Sequence, residues 1–116
     1  MLPTMNLARA LESVDGDKEL LKTVASDCLE QFPRRMREIE NEIETEDREQ
    51  IARKVHSLKS NIGLLGAEGA YAAANELEIQ AAEASLEEVR STFRKLQNEM
   101  KHVEDFYADP NWIHLC

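Results

Sequence analysis

The sequence predicts an all-α fold: an antiparallel up-down four-helix bundle with a short extra N-terminal helix and an irregular C-terminal tail. Three observations predict it. Helix breakers are scarce, with 4 Gly and 3 Pro among 116 residues, in a chain rich in Glu, Leu, Ala, Lys and Arg. Apolar residues recur in steps of three and four along successive segments. Short connections separate those segments, which favours antiparallel neighbours. No segment alternates like a strand.

The opening helix is expected from Asn6 to Val14, with Leu7, Ala10, Leu11 and Val14 at helical spacing. Asp15-Gly16-Asp17 breaks it, and Asp17 is a good N-cap for the next helix. That helix carries Leu21, Val24, Cys28, Phe32, Met36, Ile39 and Ile43 on one stripe. Pro33 lies inside it and, lacking an N–H, is expected to kink the helix or split it. Thr45 to Asp47 forms the following break, where Asp47 and Gln50 have capping-box spacing. Ile51, Val55, Leu58, Ile62 and Leu65 then define a third stripe, which Gly66 ends. An alanine-rich helix follows over 67–82, with Ala70, Ala74, Leu77 and Ala81 on one face. Ser85 and Glu88 cap the last helix, whose stripe runs Leu86, Val89, Phe93, Leu96, Met100 and Val103. The bundle is therefore assigned to residues 1–104 and the tail to 105–116. Pro110 and Trp112 fall outside the pattern, so the tail either docks on the bundle or stays disordered.

Composition excludes some functions. A net charge of −9, from 23 acidic and 14 basic residues, argues against nucleic acid and anionic membrane surfaces, both of which reward basic patches. Cys28 lies on an apolar stripe and reads as a small core residue, whereas terminal Cys116 could be a free thiol. The two match no metal spacing, and no metal is expected. Met1-Leu2-Pro3-Thr4 lacks the character of a signal peptide, and no apolar run is long enough to span a bilayer. A cytoplasmic monomer is expected, although Trp112, Ile113 and Leu115 in the tail could mediate pairing.

The third stripe also fixes where its polar residues point. With Ile51 at zero, the apolar residues fall within about 40° of that direction. Lys59 lies at about 80°, Gly63 at about 120°, His56 at about 140° and Ser60 at about 180°. His56, Ser60 and Gly63 thus form an outward strip with Lys59 beside it. An unprotonated imidazole with an ordinary pKa of about 6.5 is a competent nucleophile near neutrality. A phosphoryl group placed on it would need nearby positive charge, which Lys59 can offer. Small neighbours at Ser60 and Gly63 leave room for a docking partner.

Read whole, His56-Ser57-Leu58-Lys59-Ser60-Asn61-Ile62-Gly63-Leu64-Leu65-Gly66-Ala67 resembles the signature of the histidine phosphotransfer (HPt) domain family, roughly H-x-L-K-G-x-x-x-x-L-G-A. Gly16-Asp17-x-Glu19-Leu20-Leu21, Phe32-Pro33, the Ile39-to-Ile43 helix closed by Asp47, and Ala74 to Leu77 are placed as in that family. The resemblance covers about residues 6–104. It implies a phosphoryl carrier, not a self-contained enzyme, that accepts the group on His56 from a receiver aspartate or a kinase and passes it to another receiver. It further implies that Lys59 gives electrostatic support and that Ser60 and Gly63 belong to the docking face. Arg53 and Lys54 would complement an acidic receiver pocket. No cofactor is expected, because magnesium is held by the partner receiver; the partners are response-regulator receiver domains or a sensor histidine kinase. Ser60 stands where the family usually has Gly, and its hydroxyl could hydrogen-bond a phosphoryl oxygen.

Two other classes compete. A di-iron carboxylate bundle needs paired inward Glu-x-x-His motifs; Glu99-x-x-His102 is a single copy, and His102 points about 145° from its apolar stripe. His114, in the tail, has no evident co-ligands. A bundle of the same fold could instead serve as a non-phosphorylated adaptor that only docks receivers or kinases, a reading that the intact His56 and Lys59 disfavour.

Overall fold

The computed structural model describes residues 5–115; Cys116 and the Met1–Thr4 segment lie outside them. The elements are α1 (Leu7–Glu12), α2 (Lys18–Glu44), α3 (Arg48–Leu64), α4 (Glu68–Glu83) and α5 (Leu86–Ala108), then a 3-10 turn over Pro110–His114. Caps set most of the starts. Asp17 accepts from the Leu20 N–H at 3.0 Å, Asp47 from the Gln50 N–H at 3.2 Å and Ser85 from the Glu88 N–H at 3.2 Å. Asp15 and Glu46 take positive φ in the two reversals before α2 and α3, which gives the chain its sharp turns there.

α2 continues through Pro33 as one helix of 27 residues, about 40 Å long at roughly 1.5 Å per residue. A split does not occur. Pro33 sits on the exposed side, where water can take over the carbonyl left unpaired by the missing N–H. α2 packs against α3 and α5, and α4 packs against the same two, which closes a four-helix ring with α1 laid over α2 and α3. The core holds one stripe from each long helix, including Leu21, Phe32 and Ile39 of α2, Ile51, Val55, Leu58 and Ile62 of α3, and Leu77 of α4. Ala70, Ala74 and Ala81 are fully buried, so their small side chains let α4 approach α3 closely. Cys28 is buried as well, and that burial pushes its thiol pKa up.

α5 continues to Ala108, past the expected boundary at residue 104. Tyr107 extends the stripe of Met100 and Val103 in steps of three and four, and its hydroxyl donates to the Leu65 carbonyl at 2.7 Å. Asp109 then caps the 3-10 turn, and Trp112 packs edge-on against Tyr107 at 5.2 Å between ring centroids. Trp112 is 5% exposed. The tail docks.

Gly66 illustrates how tightly α1 is tied to the end of α3. Its φ is 68°, and its carbonyl accepts from the Asn6 N–H at 2.7 Å. A Cβ at Gly66 would collide with the Asn6 carbonyl oxygen, a backbone atom that cannot simply swing away. Gly66→Ala is therefore expected to cost about 1–3 kcal/mol from the left-handed backbone alone, with the collision adding to it. Thermal denaturation checks this.

Candidate functional site

His56 lies at the middle of α3, turned away from the buried stripe of Val55 and Leu58, and its side chain is 67% exposed. Its Nδ1 donates to Oε2 of Glu78, on α4, at 3.0 Å. Lys59 sits one turn further along α3 but faces a different way. Its Nζ pairs with Oε1 of the same Glu78 at 2.8 Å and donates to Oδ1 of Asn75 at 3.0 Å. The ammonium also lies 5.5 Å from the centre of the Tyr71 ring, within cation–π range. Only 15% of the Lys59 side chain is exposed, so Lys59 fastens α3 to α4 while His56 stands in solvent.

Electrostatics follow from this pairing. Burial pushes the Glu78 carboxyl up, but Lys59 and then His56 more than offset it and hold Glu78 below the usual carboxylate range. Pairing with Glu78 holds Lys59 above the usual lysine range. Both groups stay ionised at neutral pH. Because an ionised carboxylate only accepts hydrogen bonds, the imidazole nitrogen facing it carries the proton. In the neutral ring Nε2 then keeps its lone pair.

The structure brings some expected residues together and separates others. Ser60 is exposed and Gly63 half-buried on the same strip as His56, beside a shallow concavity lined also by Arg9, Leu64 and Tyr71. A Cβ at Gly63 would meet the Tyr71 ring at 3.6 Å, an ordinary contact distance. Helix propensity should then dominate, and Gly63→Ala is expected to raise stability by up to about 1 kcal/mol, read by chemical denaturation. Arg53 is exposed and paired with Glu49 at 3.0 Å. Lys54 reaches the other way, to Glu42 of α2 at 3.4 Å, so it is not beside His56. Around α3, Lys54 and His56 are about 160° apart.

Glu78, Asn75 and Tyr71 were not singled out in the sequence. Their signal is their spacing: residues 71, 75 and 78 follow the same three-and-four rhythm as a core stripe, flanking the alanine face of α4. Arg35 of α2 was missed too; its Nη2 donates to Oγ of Ser57, the neighbour of His56, at 2.6 Å. Elsewhere, His102 is 58% exposed and lies 3.8 Å from Glu99 on its own helix. Among the described residues, no three His, Cys, Asp or Glu side chains gather into a metal-binding group, and no helix is long and apolar enough to cross a membrane.

Comparison with known proteins adds to this geometry. The model of the Hpt domain family matches residues 23–106. Among solved structures, the chain is similar to the crystal structure of the HPT domain from an Hpt sensor hybrid histidine kinase from Shewanella. The TM-score is 0.79 at 16% identity, with 93% of each chain covered. The search of curated proteins gave no match.

Proposed function

The chain belongs to the Hpt domain family, and on that premise we propose that it is a histidine-containing phosphotransfer protein with His56 as the phosphoryl acceptor and donor. It takes the group from a receiver aspartate, or from a kinase, and passes it to another receiver in a cytoplasmic two-component phosphorelay. The observation that carries this reading is the state of His56: an exposed side chain whose Nδ1 is held by Glu78, which leaves Nε2 as the nitrogen with the lone pair.

The chemistry then balances simply. The Nε2 lone pair attacks the phosphorus of an aspartyl phosphate, the P–O bond breaks, and the aspartate leaves with the electron pair as a carboxylate. The ring keeps its Nδ1 proton and becomes cationic, directly against the negative Glu78. Transfer onward is the reverse, with a second aspartate as nucleophile. Catalysis of such a transfer is mostly positioning and charge stabilisation. Magnesium belongs to the receiver in this scheme. Ser60 and Gly63 supply an uncrowded landing strip, and Arg53 lies near its edge.

Receiver domains from the same source, phosphorylated on their aspartates, provide the test. The expected result is an acid-labile, base-stable phosphoryl group located on His56 by mass spectrometry. If receivers bind the chain but every phosphorylated one leaves it unlabelled, the protein is a docking adaptor.

A further inference from the structure

A phosphoryl group brings close to two negative charges to a chain whose net charge is already −9. A cation facing it would stabilise it. Lys59 is committed to Glu78 and Asn75, on the α4 side of the ring. Nδ1 of His56 points to that same side. In an imidazole the two nitrogens diverge across the ring, so a group on Nε2 projects away from α4 and away from Lys59.

The opposite side belongs to α2. Around α3, Lys59 lies at about 80°, His56 at about 140° and Ser57 at about 240°. Ser57 is therefore on the far flank of His56 from Lys59. There the Arg35 guanidinium reaches across from α2 to Ser57 Oγ at 2.6 Å. Adjacent Cα atoms are roughly 3.8 Å apart, so this guanidinium sits beside the residue next to His56. Its charge is also unspent. Arg53 is paired with Glu49 and Lys54 with Glu42, whereas among the described residues Arg35 has a neutral hydroxyl as its partner and no carboxylate in ion-pair contact.

We propose that Arg35 is the phosphoryl-binding residue of this site: when His56 Nε2 is phosphorylated, the guanidinium leaves Ser57 and takes the phosphoryl oxygens. This rests on the carrier function proposed above. The exchange is favourable because a charge-assisted hydrogen bond is roughly twice as strong as one to a neutral oxygen, and the guanidinium fork fits a phosphoryl group bidentately. Ser57 parks the side chain within reach without neutralising it.

The test uses the full chain phosphorylated with potassium phosphoramidate, which needs no partner, and follows the phosphohistidine by phosphorus NMR against pH. The His56 resonance is identified by its loss in His56→Gln. A cation at the phosphoryl oxygens lowers the second phosphoryl pKa, so Arg35→Ala is expected to raise it by about half a unit or more. Arg35→Lys should restore most of the shift, and Arg94→Ala, a charge removed from α5, should do little. Equal titrations for Arg35→Ala and Arg94→Ala would overturn the role of Arg35 while the carrier reading stands. Failure of wild type to accept a phosphoryl group on His56 from either phosphoramidate or a receiver would overturn both.

Discussion

His56→Gln is expected to reduce phosphoryl acceptance to background while the fold survives. Glutamine can still donate an amide N–H to Glu78, but it offers no nitrogen lone pair to attack phosphorus. The substitution is at a surface position away from the core, where stability changes usually stay within about 0.5 kcal/mol. Circular dichroism and thermal melting should therefore match wild type. Incubation with a phosphorylated receiver, read by intact mass before and after acid, separates the alternatives. His102 is also well exposed, so an acid-labile label that persists in His56→Gln would move the acceptor to another histidine.

The bundle was legible because each stripe repeats a helical period over several turns, and because Asp17, Asp47 and Ser85 mark their starts by type and spacing. The direction of His56 was legible for the same reason: a residue about 140° from the stripe has nowhere to go but solvent. Lys59 was less so. At about 80° it lies on the flank of the stripe, where a long side chain either enters water or crosses to a neighbouring helix. Which neighbour stands there is a tertiary fact. Lys54, about 60° from the stripe on its other flank, crosses to α2 in the same manner. The two lysines thus mark the two helices that α3 packs between, but only the structure says that one helix carries Glu42 and the other Glu78. The tail is shorter than expected because Tyr107 continues the stripe of α5, and its hydroxyl finds its acceptor 42 residues away in the chain.

Glu78 should be the most sensitive position after His56 itself. The transfer makes the ring cationic while Glu78 holds its Nδ1 proton, so the carboxylate stabilises charge that appears only as the reaction proceeds. Losing about 1.4 kcal/mol of that stabilisation corresponds to a tenfold slower transfer, and Glu78→Ala is expected to slow acceptance by at least about that factor. Glu78→Gln, which keeps an oxygen acceptor but no charge, should fall between Ala and wild type. The pH dependence has a definite sign. Because Glu78 is held below the usual carboxylate range, its contribution to folding stability is present above that range and is lost as pH falls through its folded value, where the denaturation midpoints of wild type and Glu78→Ala should converge. Lys59→Ala is also expected to slow transfer, with helix content unchanged, and identical kinetics would remove Lys59 from the mechanism. The double variant decides how Lys59 acts. If the ammonium works through Glu78, by keeping it ionised and in place, then Lys59→Ala should cost little once Glu78 is already Ala, a strongly non-additive cycle. If instead the two losses add, Lys59 leaves Glu78 during the reaction and meets the phosphoryl group itself.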